Sequence, residues 1–496
     1  MLKTMILTVV LIYFVLLLLL SRLTAPHSAT NETFYRGERR SPWPMVAFGM
    51  VGASISGVTF VSVPGMVLHS GMTYLQLCMG FILGYAAVAF VLLPVYYKLG
   101  LTSIYAYLGR RLGRRSYQSG AWFFLLSKMA GSAVKFYVVC MILQQFVFDA
   151  LGVPFVVNVV AMVMLIWLYT RRGGVRTLVF TDVFQTTCLF TSLLLIIYMV
   201  MSQLGLSVGS ALQTVMADGR SRVFVFDDWL SPQNFWKQLL SGAFIVIVMT
   251  GLDQDMMQKN LTCRTLREAQ KDMFSYGVAF LPANFLFLAL GVLLARLAES
   301  SGAGLPSRGD ELLPAFVAGD YGATGGGTLL LVLFTIGIVA ASFSSADSAL
   351  TSLTTCYCVD VRRRPADERL RRRAHAVMCA IFMVAIVLIR ASRSSSLIDA
   401  IYTIVSYTYG PLLGLFAFGL ATRRTVADSR VPLVCVASPL LCYAADQCMR
   451  HGFGYHFGYE LLLLNGALTF AGLWLCSKRA ASNIITPENI SNTMKR

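Results

Sequence analysis

Charged residues are scarce in this chain of 496 residues: they make up 13% of it, against 56% hydrophobic residues. Histidine occurs only 5 times, and the 11 cysteines are scattered, with Cys356 and Cys358 as the one close pair. A metal or redox centre is therefore not favoured. The sequence also lacks a phosphate-binding loop and an evident nucleophile–base arrangement, which disfavours enzymes that depend on either. With a mean hydropathy of +0.67, this composition excludes a water-soluble globular protein and indicates a membrane protein.

Long apolar runs recur along the whole chain, and a helical span needs about 20 mostly apolar residues. The first run follows only Lys3 and precedes no clear small-residue cleavage site, so we expect a retained helix there, with a signal peptide as the alternative. The runs predict an all-α polytopic membrane protein with about 13 transmembrane helices. They lie at residues 5–20, 45–68, 72–97, 117–148, 153–169, 178–201, 238–258, 273–297, 325–357, 375–389, 397–420, 431–448 and 459–476.

A net charge of +17 could indicate a nucleic-acid partner, but the distribution of the charges along the chain does not support one. Most of the 41 Lys and Arg residues fall in alternate loops, above all in the arginine-rich segment 362–373. Basic loops remain on the cytoplasmic side of a membrane. The pattern predicts a multi-pass protein of the plasma (inner) membrane with its N-terminus outside and its C-terminus in the cytoplasm. Nucleic-acid binding is not supported.

A stripe of small, oxygen-bearing side chains runs along one face of the predicted helix 325–357. At about 100° per residue, Ala341, Ser344, Ser345 and Ser348 share this face, and Asp347 lies at its edge. Hydroxyl and carboxylate oxygens in an apolar wall suit a small alkali cation. Serines alone would also allow close helix packing. Packing does not need a carboxylate in lipid, so Asp347 favours an ion site.

Two further segments carry polar groups at membrane depth. Residues 50–60 are rich in Gly and Ser and are followed by Pro64, which indicates either a broken helix lining a cavity or a close-packed interface. The helix predicted at 117–148 carries Lys128 and Lys135 on one face, and burying such a cation costs at least about 2.5 kcal/mol. Lys135 is the better candidate for holding an anionic substrate, unless a carboxylate such as Asp347 pairs with it.

Polar residues near the ends of three other predicted helices allow more than one interpretation. Asp182 either caps or pairs locally, or leads an ion towards the cytoplasm. Asp253 and Asp255 are expected to form a helix-end cluster with the basic residues of 264–271. Pro411 predicts a helix break, because proline cannot donate a hydrogen bond to the preceding turn.

Taken together, these residues resemble the motifs of the sodium/solute symporter family. The resemblance rests on Gly52–Phe60 with Pro64-Gly65, on the segment 173–185, and on Ala341-x-x-Ser344-Ser345. It covers about residues 45–420 and implies a LeuT-like core of five plus five helices related as inverted repeats. The implied divisions are an N-terminal helix and loop at 1–44, repeats at 45–201 and 238–420 with an external loop at 202–237 between them, and two peripheral helices with a cytoplasmic tail at 421–496.

The resemblance also implies the ligand positions. The main sodium ion would be held by oxygens of the first and eighth core helices, here Gly52, Ile55, Ala341, Ser344 and Ser345. Some members bind a second sodium ion, for which Asp182 and Ser348 match; Asp347 stands where some members have serine, and its role as ion ligand or as partner of another group is open. The substrate positions resemble Ser54, Ser56, Thr59, Tyr74 or Gln76, and Lys135, which lies close to where the sialic-acid transporters place an arginine. Lysine would bind a carboxylate as a point charge, without arginine's bidentate fork.

These observations predict sodium-coupled symport, that is uptake, of a small organic solute, with an organic anion or acidic sugar slightly favoured. The expected partners are the sodium ion, the solute and membrane lipid; no cofactor beyond sodium as coupling ion and no obligate protein partner is evident. Two alternatives remain at this level: a membrane-embedded enzyme that uses the intramembrane aspartates, and a proton-coupled transporter of a neutral sugar.

Overall fold

The computed structural model describes residues 2–24, 30–319, 327–391, 397–455 and 457–478, so that most of the predicted cytoplasmic tail lies outside the described residues. Within these ranges the chain is almost entirely helical. The helices, in chain order, are α1 Leu2–Thr24, α2 Asn31–Arg36, α3 Trp43–Ser54, α4 Gly57–Ser70, α5 Tyr74–Ala87, α6 Leu93–Lys98, α7 Ala106–Arg111, α8 Arg114–Leu143, α9 Phe155–Gly173, α10 Val175–Gln203, α11 Val208–Ala217, α12 Phe235–Val246, α13 Gln254–Asn260, α14 Leu266–Ser300, α15 Leu312–Ala318, α16 Gly327–Cys356, α17 Glu368–Ala391, α18 Leu397–Ala421, α19 Val431–Phe453 and α20 Leu461–Leu475. Two short strands, β1 Thr425–Val426 and β2 Ser477–Lys478, pair antiparallel.

The described residues contain nine helices that are long and apolar enough to cross a membrane, or up to 11 if each of two bent pairs is one span. The predicted segments 153–169 and 459–476 are also helical, but their apolar helices, Phe155–Arg171 and Leu461–Leu475, fall short of that length. The all-helical polytopic fold is therefore confirmed. The count of about 13 spans stays a prediction.

Two of the spans are broken in their middle. α3 and α4 are separated at Ile55 and Ser56 by a bend of 64°, and Ser56 with Thr59 forms a reciprocal cap at the start of α4. The Gly- and Ser-rich composition of residues 50–60 indicated this break. α12 and α13 are bent by 69°, and the Asp253 side chain accepts the amide of Asp255 to cap α13. This second break was not predicted from the sequence.

Helix α16 lies at the centre of the bundle, and almost all of its side chains from Leu330 to Cys356 are buried. It packs against α3, α8 and α10, and also against α1. The aromatic rings of α1 anchor it in this bundle, with Phe14 against Phe343 of α16 and Tyr13 stacked on Phe184 of α10. The serine stripe of α16 therefore faces protein rather than lipid.

The break predicted at Pro411 is wrong, because α18 continues through this residue. Proline leaves the carbonyls of the preceding turn without their usual amide donor. Here the Asn465 amide of α20 supplies the missing donors, at 2.9 Å from the carbonyl oxygen of Ser406 and 3.0 Å from that of Tyr407. A side chain 54 positions further along the chain thus keeps the helix intact, and no local pattern around Pro411 reveals it.

Candidate functional site

A cavity lies beside the breaks in both bent spans. Its empty space, including the open solvent at its mouth, is about 750 Å³. The break between α3 and α4 contributes hydroxyls, and α5, α8, α12, α13 and α14 provide the rest of the wall. The lining includes Ser54, Ser56, Thr59, Tyr74, Phe81, Tyr85, Lys128, Lys135, Met249, Thr250, Met256, Tyr276 and Phe280. The cavity is thus apolar and aromatic, with a few hydroxyls and two ammonium groups.

The structure brings together at this cavity five of the six side chains that the sequence assigned to substrate: Ser54, Ser56, Thr59, Tyr74 and Lys135. The hydroxyl of Ser54 is hydrogen-bonded to that of Tyr276, a residue that the sequence analysis did not select. Tyr276 lies between the polar first turns of α14, residues 267–272, and the apolar run that follows them. Nothing in this pattern marks it as a site residue.

Gln76 was offered as the alternative to Tyr74, and the structure does not place it among the lining residues. Its side chain is fully buried: Nε2 donates to the carbonyl of Gln233 over 2.9 Å, and Oε1 accepts the amide of Val225 over 3.1 Å. Residues two apart on a helix point to nearly opposite sides. Tyr74 and Gln76 therefore cannot both face the cavity, and Gln76 anchors the loop before α12 instead.

The two lysines of α8 have different surroundings. The Lys128 ammonium lies 2.7 Å from Asp255 Oδ2 and 3.1 Å from Asp253 Oδ2, and the Tyr409 hydroxyl donates to Asp253 over 2.6 Å. The predicted pairing of these aspartates with the basic residues of 264–271 is wrong, because the bend before α13 turns both carboxylates towards α8. Lys135 makes no such ion pair within 4.0 Å of its ammonium among the described residues.

The oxygen-rich stripe of α16 meets the end of α3 and the middle of α10. Ser345 Oγ donates to the carbonyl oxygen of Ala53 over 2.7 Å, and Ser344 Oγ donates to Asp182 Oδ1 over 2.7 Å. Both hydroxyls are therefore next to the helix break, where the last turn of α3 has no following turn to satisfy its carbonyl groups. Of the predicted sodium positions, Ser345 contacts α3 and Ser344 contacts α10, while Gly52 lies in the last turn of α3 and Ile55 in the break that follows it.

Gly52 allows the close approach of α3 to α10. A Cβ atom at this position would lie 1.9 Å from Thr186 Oγ1 and 2.7 Å from Thr186 Cβ. No real side chain tolerates such contacts, so glycine is required there. The Gly-rich pattern thus belongs to both a helix break and a close-packed interface. The sequence alone left these two interpretations as alternatives.

The predicted second sodium positions, Asp182, Asp347 and Ser348, are all buried. Asp347 Oδ2 accepts the Tyr169 hydroxyl over 2.7 Å, and its Oδ1 accepts Ser348 Oγ over 3.2 Å. Asp347 is therefore held by hydroxyls and forms no ion pair with Lys135 among the described contacts. Asp182 Oδ2 lies 2.6 Å from the ammonium of Lys259, a residue that directly follows the predicted span 238–258.

A polytopic helical protein with two spans broken at a common cavity has the architecture of a secondary transporter. Residues 34–428 match the Sodium:solute symporter family. The chain therefore belongs to this family and is a sodium-coupled symporter of a small solute, not an enzyme.

Similar proteins are consistent with this assignment. The chain is 25% identical over 489 residues to the Sodium/sialic acid symporter SiaT of Proteus mirabilis, covering 93% of this chain and 92% of that protein. It is 25% identical to the Sodium-coupled monocarboxylate transporter 2 of Danio rerio, over 79% of this chain but only 63% of that protein. Its fold resembles that of a Na⁺-coupled sialic acid symporter in a substrate-bound outward-open state, with a TM-score of 0.80 and 20% identity, covering 96% of this chain and 99% of that one.

Proposed function

We propose that this protein takes up a small organic anion with a carboxylate, such as an acidic sugar or a monocarboxylate, together with sodium across the plasma membrane. One observation supports an anion as the substrate. Lys135 lines the cavity without an acidic partner within 4.0 Å among the described residues, while Lys128 on the same helix has two. Lys135 is half-buried. An ammonium in a largely apolar cavity without a counter-ion is costly, and the carboxylate of a substrate would supply the missing charge.

The rest of the cavity fits a polar organic anion better than a bare inorganic one. Ser54, Ser56 and Thr59 offer hydroxyls on one side, and the rings of Phe81 and Phe280 offer apolar faces. Hydroxyls specify orientation by hydrogen bonds, and aromatic faces bury the carbon skeleton. Two of the relatives are named for sialic acid and for monocarboxylates, which is consistent with a carboxylate as the shared chemical feature.

We place the main sodium ion at the meeting of α3 and α16, with Gly52, Ile55, Ala341, Ser344 and Ser345 as its ligands. The 2.7 Å hydrogen bond from Ser345 Oγ to the Ala53 carbonyl oxygen supports this placement, because it brings oxygens of both helices together. Sodium bound at this position would hold the broken span against α16 and so favour the state that accepts substrate. The second predicted set, Asp182, Asp347 and Ser348, is not part of this proposal, because the ammonium of Lys259 already lies 2.6 Å from Asp182 Oδ2.

The proposed core consists of two inverted halves at 45–201 and 238–420, in about 13 spans counting the outer helices. Supporting this division, each half begins with a bent pair, α3 with α4 and α12 with α13, and the two bends of 64° and 69° are similar. Exposed leucines on α19, such as Leu433 and Leu440, fit a surface in contact with lipid. We keep the N-terminus outside and the C-terminus in the cytoplasm on the basis of the charge distribution.

The test is binding of matched solutes to the purified protein, with and without sodium. We expect an acidic sugar or a monocarboxylate to bind more tightly than its neutral analogue, and only when sodium is present. Lys135→Met should abolish that preference, whereas Lys135→Arg should retain it. Lys271→Met, which removes an exposed lysine at the start of α14, is the matched control. Unchanged carboxylate affinity in Lys135→Met would refute the proposal for the anion.

A further inference from the structure

Three charged side chains lie together in the interior between α10, α13 and α16. Asp182, Lys259 and Asp347 are all buried, and the side chains of Lys259 and Asp182 are only 2% and 1% exposed. The ammonium of Lys259 lies 2.6 Å from Asp182 Oδ2, while Asp347 is held by the hydroxyls of Tyr169 and Ser348. A buried charge needs a partner of opposite sign, so the number of charges in this cluster decides which ions it accepts.

With all three groups ionised, the two carboxylates and the one ammonium give this cluster a single net negative charge. Two sodium ions added to it would leave a positive charge in a dry interior, while one would leave it neutral. The two oxygens of Asp182 also have different neighbours: Oδ1 accepts Ser344 Oγ over 2.7 Å, and Oδ2 faces Lys259. The carboxylate thus has one side towards the proposed main sodium ligands and the other side towards the lysine.

We propose that the ammonium of Lys259 takes the place of a second sodium ion, so that this protein moves one sodium ion per cycle. The inference rests on the proposed sodium-coupled function. An ammonium group is a compact monovalent cation, and its attachment to α13 keeps it at a high effective concentration beside Asp182. A free sodium ion would have to displace it to reach Asp182 Oδ2, and the buried Lys259 would then lose its 2.6 Å contact with that carboxylate.

The lysine reaches this position because of the bend before α13. If α12 continued straight, Lys259 would extend beyond the predicted span 238–258, towards the loop that follows it. The bend of 69° instead turns α13 towards the bundle, where Gln258 Nε2 also donates to Thr355 Oγ1 of α16 over 3.0 Å. Helix α13 thus lines the cavity on one side and carries the ammonium of Lys259 near its other end. Substrate binding and this ion pair are therefore linked through one short helix of seven residues.

The test is the sodium stoichiometry of the purified full chain, measured with radioactive sodium, together with the Hill coefficient for sodium in uptake. We expect about one ion bound and a Hill coefficient of about one, since this coefficient can reach the number of coupled sites. In Lys259→Met, which removes the charge and nearly keeps the length, the coefficient should rise towards about two. Lys259→Met with Asp182→Asn should return it to about one. Lys271→Met, at an exposed site, should behave as the unaltered protein.

Each outcome distinguishes this inference from the function on which it rests. Two sodium ions bound to the unaltered protein, or a Lys259→Met variant that folds and still binds one, would overturn the role of Lys259 but leave symport intact. No sodium bound to the unaltered protein would instead refute the sodium coupling itself. If Lys259→Met does not fold, the stoichiometry of the unaltered protein decides, with Lys259→Arg expected to keep the same value.

Discussion

Ser345 and Ala53 lie 292 positions apart in the chain, and the hydroxyl of the first donates to the carbonyl oxygen of the second over 2.7 Å. This contact joins the central helix α16 to the last turn of the half-helix α3, directly before the break. A cation placed between them would take the carbonyl and hydroxyl oxygens that this hydrogen bond now pairs. On the proposed placement of the sodium ion, the strength of its binding would determine how firmly the broken span is held to the centre of the bundle.

Replacing Ser344 and Ser345 together by alanine should raise the half-saturating sodium concentration for uptake by at least about tenfold. Two hydroxyl ligands are lost, and a factor of ten corresponds to about 1.4 kcal/mol. Ser352→Ala is the matched control, because Ser352 lies on the same helix and its hydroxyl donates to the carbonyl of Ala349 within that helix, 2.9 Å away. Sodium dependence that is the same in the double variant and in the control would contradict the assignment of the main site.

Substitution of Gly52 by alanine should abolish uptake and lower thermal stability, because the added methyl group would lie 1.9 Å from Thr186 Oγ1. A second change, Thr186→Ala, removes that oxygen and should restore part of the stability. Gly131→Ala on α8 is the control, since a Cβ atom there meets nothing within 4 Å. The measurement is thermal unfolding in detergent. A Gly52→Ala protein as stable as Gly131→Ala would show that α3 and α10 are not in close contact.

The ion pairs of Lys128 predict a large effect on stability. Lys128→Met would leave Asp253 and Asp255 buried without their shared cation, and breaking a buried pair in this way costs about 3–5 kcal/mol. Adding Asp255→Asn to the same protein should recover part of that loss, since one of the two uncompensated charges is then removed. Thermal unfolding of the single and double variants measures the coupling. Losses that simply add would indicate that Lys128 and Asp255 do not interact.

The sequence was sufficient for features that depend on local composition. The Gly- and Ser-rich run indicated the break near Ile55, and the serine stripe with Asp347 indicated an oxygen-rich face on α16. Both follow from residue type and helical spacing alone. The same information could not place Lys259, because the bend before α13 decides whether this lysine points to the loop or to Asp182. Position in the chain is a poor guide wherever a helix changes direction.

Contacts between distant segments account for the remaining differences between the sequence-based predictions and the structure. Pro411 was expected to break its helix, and it does not, because Asn465 donates to the carbonyls that proline leaves open. Asp253 and Asp255 were expected to pair with following basic residues, and they pair with Lys128 instead. Each depends on a side chain more than 50 residues away, which no window of local sequence includes.

Accumulation of solute in proteoliposomes tests the central claim most directly. Purified protein in sealed vesicles, with sodium outside and none inside, should concentrate a labelled acidic sugar or monocarboxylate above its external level and release it unchanged on lysis. Potassium in place of sodium, at the same ionic strength, should support no accumulation. Equal uptake with potassium, equilibration without accumulation, or recovery of a chemically altered solute would contradict sodium-coupled symport by this protein.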